Sequence, residues 1–197
     1  MSAGRAIGYN YLVPNQSLIN KSIGESNELP RYYSYSVRKF RDEKLSKEVI
    51  DKIVEAGHLA PTACNLQPQR ILVIDEDETL ARLKECTRCH FDAPAAMLVC
   101  YDKSECWTRK YDGKSSGEID ASIVTTYMML AAWDLGVGST WVMHFNPQAM
   151  REKMALPVSL EPVALLVMGY AADDAKPYSG HYEFKDIKDT VFYNRFK

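Results

Sequence analysis

The amino-acid sequence predicts an α/β-type domain, and three observations carry the prediction. Short apolar runs at Ile71–Ile74, Ala95–Tyr101 and Val163–Tyr170 read as buried strands. Segments with a 3.6-residue apolar period lie between them, the longest from Ser115 to Leu135. The strands are too few for a doubly wound sheet, and no G-x-G-x-x-G opens a helix, which disfavours a dinucleotide-binding domain of that kind.

A chain of 197 residues is one domain, or one domain with an added arm. With 46% hydrophobic and 25% charged residues and a net charge of −2, the composition is that of a soluble protein. It gives no electrostatic footprint for nucleic acid or a membrane surface. No apolar run reaches the roughly 18 residues that span a bilayer. The N-terminus lacks the apolar core of a signal peptide, so a cytoplasmic location is expected. The five cysteines are an odd set without secretory context, which points to reduced thiols. Cys86-Thr-Arg-Cys89 spells C-x-x-C, but it has no second ligand pair for zinc and it ends a short helix instead of opening one.

Residues 1–29 are rich in Gly, Ser and Asn without sustained period and read as an arm or disordered leader, leaving 30–197 as the domain. In Arg31–Phe40, serines alternate with aromatics and cations. Arg38 as a charge and Ser36 as a neutral donor would clasp a phosphate; a solvated basic turn is the alternative. Ser46 caps a helix with apolar residues at Val49, Ile50, Ile53, Val54 and Ala56, stopped by Pro61. Thr62–Gln69 is a polar loop between prolines, suited to the edge of a planar ligand or simply a helix-to-strand connection. A short helix runs from Asp77 to Glu85, and Lys103–Lys114 reads as a polar flap carrying Trp107 and Tyr111.

Ser115 and Glu118 have the spacing of a capping box for the long helix. Ile119, Ile123, Tyr127 and Leu130 form one apolar stripe; Val124, Met128, Ala131 and Leu135 form the next. Together they predict a helix buried on nearly all sides, closed by Gly136. Trp141–Phe145 follows as a short strand, and Asn146-Pro147 starts a helix through about Met154. The aromatic end, Phe192, Tyr193 and Phe196, is expected to pack on something, such as another subunit. No P-loop or H-x-x-x-H is present, and His58 and His144 are isolated. The residues alone point to a domain with a phosphate-bearing cofactor or to a plain packed core.

Three stretches, in order and in register, resemble the nitroreductase family of flavin mononucleotide (FMN) enzymes. Tyr35-Ser36-Val37-Arg38-Lys39-Phe40 is similar to the family's R-x-S-x-R-x-F opening. Ala60-Pro61-Thr62-Ala63-Cys64-Asn65-Leu66-Gln67-Pro68 resembles its A-P-S-x-x-N-x-Q-P-W. Ile119-Asp120-Ala121-Ser122 through Leu135-Gly136-Val137-Gly138-Ser139-Thr140-Trp141 is similar to its D-A-S helix and L-G-L-G-x-x-W loop.

The resemblance implies an α+β fold: a three-layer α/β/α sandwich around a mixed central sheet, in a domain-swapped homodimer with FMN at the interface. Ser34, Tyr35, Ser36 and Arg38 would hold the phosphate end. Thr62, Ala63, Cys64 and Asn65 would reach the ring edge from the other subunit. Ser139, Thr140, Trp141, Val142, Met143 and His144 would line the ring, with a backbone N–H near Met143 facing N5. The implied activity is ping-pong transfer of hydride from NADH or NADPH, through FMN, to nitroaromatics, quinones or activated alkenes, with no catalytic side chain. Dehalogenation or ene reduction, flavin-ring cleavage, and a non-enzymatic flavin redox or storage module are the alternatives. Four departures stand out. Ser34 takes the place of the family's first phosphate arginine, leaving Arg31 or Lys185 to substitute, and Gln69 replaces a tryptophan. His144 stands where glycine is common. Cys86 and Cys89 fall where larger members place an Asn and a Lys on the ring.

Overall fold

The computed structural model describes residues 34–196; the expected arm at 1–29, and Arg31, lie outside the described residues. Four helices and four strands follow in the order α1 (Lys47–His58), β1 (Gln69–Ile74), α2 (Asp77–Cys86), β2 (Ala95–Asp102), α3 (Gly117–Asp134), β3 (Gly138–Val142), α4 (Pro147–Lys153) and β4 (Leu160–Gly169). The sheet order is β1-β2-β4-β3, and every neighbouring pair is antiparallel. A mixed sheet is not seen: among the described residues, the one parallel pairing is an isolated bridge between Ser36 and Ser139.

Alternation along the strands divides the core into two layers. Met97, Val99, Leu166 and Met168 face α1 and α3, where they meet Ile50, Ile53, Val124 and Met128. Ala96, Leu98, Cys100, Leu165, Val167 and Val142 face the other way, onto Leu83 of α2 and Met150 of α4. Helices thus cover both faces of the sheet, the three-layer arrangement expected. Each fully buried aliphatic side chain contributes about 1.5–3 kcal/mol through the water-exposed area it removes.

Local sequence accounts for most element ends. The Ser46 hydroxyl accepts from Val49 N at 3.3 Å to open α1. Asn146 Oδ1 accepts from Gln148 N and Ala149 N at 3.0 and 3.1 Å, with Pro147 at the first turn of α4. Within β4, Pro162 lies opposite Cys100 at a register shift between Val99 and Cys100. β3 stops at Val142, opposite Leu165, so Pro162 falls where no described strand asks β4 for a further hydrogen bond.

Three expectations for the central segment are corrected. α3 begins at Gly117 without a capping box: the Ser115 hydroxyl accepts from Gly117 N, and the Ser116 hydroxyl donates to Asp120 Oδ2 at 2.7 Å. The Ser115 hydroxyl thus accepts from the amide two residues on, at Gly117, and not from Glu118 three residues on as a capping box requires. The helix is not buried on nearly all sides. Val124, Met128 and Ala132 are sealed against α1 and the sheet, whereas Ile119, Tyr127 and Leu130 are 52%, 43% and 42% exposed. Among the described residues, one apolar stripe is covered, and the other is covered only at Ile123. The strand after Gly136 (φ +75°) starts at Gly138, three residues before Trp141, and ends at Val142. At the C-terminal end, Phe192 and Phe196 pack edge to face at 5.3 Å, while Tyr193 and Phe196 stay open to solvent. No helix among the described residues is long and apolar enough to cross a membrane.

Candidate functional site

The phosphate-type clasp is built on the edge of β3. Val37 N donates to Ser139 O at 3.0 Å, and the buried Thr140 hydroxyl donates to Val37 O at 2.5 Å. Val37 is fully buried between its exposed neighbours Ser36 and Arg38, so the segment is pinned by its middle residue and presents the other two outward. Gly138 allows this approach: a Cβ there would stand 2.7 Å from Val37 Cγ2. The Arg38 guanidinium donates to Ser36 O at 3.1 Å, which leaves most of its five donors facing solvent. Tyr35 lies edge to face with Trp133 at 6.0 Å and His181 at 6.4 Å, tying the clasp to the end of α3 and to the C-terminal stretch. Lys185 lies exposed in that stretch and makes no hydrogen bond or ion pair with the clasp; Ser34 precedes it, half-buried.

Beyond the clasp, β3 carries the remaining expected residues. Its side chains alternate, so Val142 is consumed by the core and Thr140 by its bond to Val37; only their backbones can meet a ligand. Trp141 points to the α1/α3 side, where its indole N–H is buried without a hydrogen-bond partner among the described residues. Met143 (69% exposed) and His144 then leave the sheet. Their path is fixed from below by the C-x-x-C segment. The buried Thr87 hydroxyl donates to His144 O at 2.6 Å and accepts from Cys89 N at 2.9 Å, while Asn146 N donates to Cys86 O at 2.8 Å. The two cysteines are not reactive partners here: Cys86 is buried in the α2/α4 layer, and that burial pushes its thiol above its ordinary pKa. Sequence reasoning missed Thr87, whose one visible signal was its place inside the C-x-x-C.

The ring-edge loop is a separate construction. Thr62 leads a 3₁₀ turn, Ala63–Asn65, and Cys64, Asn65 and Gln67 take φ values of 52°, 55° and 53°. Non-glycine residues in this region each cost about 1 kcal/mol or more, so surrounding bonds must hold them. Ala63 N donates to Asp120 Oδ1 at 2.9 Å, and Gln67 N donates to Thr62 Oγ1 at 3.1 Å. Cys64 and Asn65 project into solvent from this anchored base. Asp120, a 2% exposed carboxylate between Ile119 and Ala121, is a support that its place in the D-A-S motif does not by itself reveal.

The structure therefore brings Ser36 and Arg38 together with Ser139 and Thr140, and Thr62–Asn65 together with α3, but not the two groups with one another. The loop is bonded to the first turn of α3 and the clasp lies just past its last. From Asp120, which holds the loop, to Asp134 at the C-terminal end, the helix rises about 21 Å at 1.5 Å per residue. Between the two runs the stripe of exposed Ile119, Tyr127 and Leu130 with half-buried Ile123, and a concavity of about 520 Å³ lies over its N-terminal half.

Comparison with known proteins matches residues 33–105 and 88–170 to the nitroreductase family. The chain is 31% identical over 160 residues to a protein of Archaeoglobus fulgidus named "Putative NADH dehydrogenase/NAD(P)H nitroreductase", covering 78% of this chain and 90% of that one. Among solved structures, it is similar to a nitroreductase family protein from Clostridium difficile 630, with 41% identity, a TM-score of 0.78, and coverage of 83% and 95%. An FMN-dependent nitroreductase from Clostridium difficile R20291 superposes with a TM-score of 0.69 at 28% identity, covering 83% and 96%.

Proposed function

This chain belongs to the nitroreductase family, and from that premise we propose that it is an NAD(P)H-dependent FMN oxidoreductase acting as a homodimer on nitroaromatic, quinone or related acceptors. The observation that carries the reading is the separation of the two half-sites along α3. A clasp and a ring-edge loop at opposite ends of α3, with about 21 Å of helix between them, are not placed to enclose one flavin within a single chain. Two chains packed through their α3 stripes would set the loop of one against the clasp of the other. Burying residues as exposed as Ile119, Tyr127 and Leu130 supplies the driving force.

The residues present fit a phosphate-tailed flavin. Arg38 offers charge-assisted donors and Ser36 a neutral one. The orphaned Trp141 indole N–H is a buried donor awaiting an acceptor. When bound, the flavin supplies the two-electron hydride chemistry. The chain's own task is placement. Arg38 and Ser36 hold the phosphate, Cys64 and Asn65 of the partner chain present polar groups to the ring edge, and the backbone at Met143 and His144 faces the reacting side. Preorganised donors of this kind stabilise developing charge without a general base. NADH or NADPH and then an oxidised acceptor would enter the same open cleft in turn, and His144 would shape that cleft for the acceptor.

The test is direct. Purified protein reconstituted with FMN is expected to be dimeric by sedimentation and yellow. Its colour should bleach with NADH or NADPH and return with a nitroaromatic or quinone. Flavin binding without turnover would favour a redox or storage module, and a monomer unable to retain FMN would refute the reading.

A further inference from the structure

We infer that Asp120 is a positioning residue for flavin binding: its buried carboxylate holds the ring-edge loop in a left-handed conformation that the loop's own residues disfavour. The inference rests on the FMN reading above. Asp120 sits in the first turn of α3, 2% exposed, and bonds in two directions. Oδ1 accepts from the backbone N–H of Ala63, across 57 positions of sequence, and Oδ2 accepts from the Ser116 hydroxyl. Both oxygens are therefore committed, and neither partner is a cation. A buried carboxylate without a counter-ion is costly unless hydrogen bonds satisfy it, so the Ala63 amide is tightly held.

What it holds is a loop under backbone strain. Cys64, Asn65 and Gln67 all adopt positive φ without being glycine. Such conformations persist only where the surroundings over-determine them. Within the loop, Gln67 N bonds to Thr62 Oγ1; its described ties to the rest of the fold are the Ala63–Asp120 bond at its start and a longer bond from Arg70 Nη1 of β1 to Gln67 O, at 3.3 Å, at its end. Cys64 and Asn65 are exposed, so packing of their own side chains does not substitute for the anchor at Ala63. Without it the loop relaxes toward ordinary φ values, and the groups offered to the ring lose their direction.

Three variants test this: Asp120→Ala, Asp120→Asn and Ala63→Pro. Asparagine keeps an acceptor for Ala63 N, and its amide can donate to a rotated Ser116 hydroxyl. Proline removes the donor from the loop and leaves α3 untouched, so it informs even if Asp120→Ala fails to fold. Two measurements are made: the FMN dissociation constant, and amide hydrogen exchange of residues 62–67 in the flavin-free protein. Asp120→Ala and Ala63→Pro should weaken FMN binding at least tenfold. Asp120→Ala should speed exchange in the loop at least tenfold, with α1 and β2 unchanged. Asp120→Asn should stay within about threefold of the parent in both. FMN affinity within threefold in Asp120→Ala or Ala63→Pro, or Asp120→Asn as impaired as Asp120→Ala, overturns the inference. A parent protein that does not bind FMN defeats the cofactor reading instead, and the exchange measurement still decides whether Asp120 holds the loop.

Discussion

Gly138→Ala is predicted to damage the clasp through a single methyl group. The added Cβ would meet Val37 at three atoms, Cγ2 at 2.7 Å, Cβ at 3.0 Å and Cγ1 at 3.2 Å. A flexible side chain would swing aside, but valine is branched at Cβ and Val37 is fully buried, so no free rotamer is open to it. Relief has to come from moving the backbone of residues 36–38 away from β3. That stretches the Val37 N–Ser139 O and Thr140 Oγ1–Val37 O bonds. Overpacking of this kind costs about 1–3 kcal/mol, and weakening the two bonds lies within the same range. Urea unfolding should show a loss of about 1–3 kcal/mol, and FMN titration a weaker complex, because Ser36 and Arg38 move with Val37. The decisive arm is a double-mutant cycle. Val37→Ala creates room, so Val37→Ala/Gly138→Ala should be more stable than the sum of the single effects by at least about 0.5 kcal/mol. Additivity within error, or a Gly138→Ala protein as stable as its parent, would show that the close approach is not what seats the clasp.

Arg38→Ala should weaken FMN retention by about 1.5–3 kcal/mol, the range for a hydrogen bond to a charged group; equal affinity by fluorescence titration removes Arg38 from the phosphate site. His144→Gly should change the ranking of acceptors by kcat/KM more than it changes FMN affinity, because its side chain is exposed and its backbone carbonyl is held by Thr87 whatever the side chain; identical kinetics across several nitroaromatics and quinones would count against it. Burial pushes the Cys100 thiol up to about 12 from an ordinary 9.0. The folded chain then keeps a proton that the unfolded chain releases. The contribution is complete below pH 9 and declines as pH rises toward 12, by at most about 1.4 kcal/mol per pH unit. Cys100→Ala should flatten the alkaline limb of a stability–pH curve, and an unchanged slope refutes this.

Much of the architecture was legible because it is written in local chemistry. Ser46, Asn146-Pro147 and Gly136 mark their helix ends by hydrogen bonding and φ preference alone, and the apolar runs of β2 and β4 have one reasonable fate. What escaped depended on contacts across the sequence. The capping-box spacing of Ser115 and Glu118 misled because the Ser115 hydroxyl accepts from the nearer Gly117 amide, and the support that Ser116 and Ala63 give the buried Asp120 depends on the fold. The second stripe of α3 looked like core because periodicity reports that a face is apolar, not whether the same chain covers it. At the site, Ser36 and Arg38 were visible as a charge pattern, whereas the dependence of their position on Val37, Gly138 and Thr140 is a tertiary fact. Thr87 carried no signal beyond its place inside the C-x-x-C, since its role is a bond to a backbone carbonyl 57 residues away.

The unequal lengths of β3 and β4 have a consequence for how this protein avoids its own kind. From Leu160 to Ala164, one side of β4 extends past the end of β3, a bare row on which a stray strand could template. Pro162 interrupts that row with a residue that has no amide hydrogen to offer, and the Arg151 guanidinium covers the Leu160 carbonyl at 2.6 Å. The missing amide hydrogen and the cation make this margin a poorer template for a stray strand.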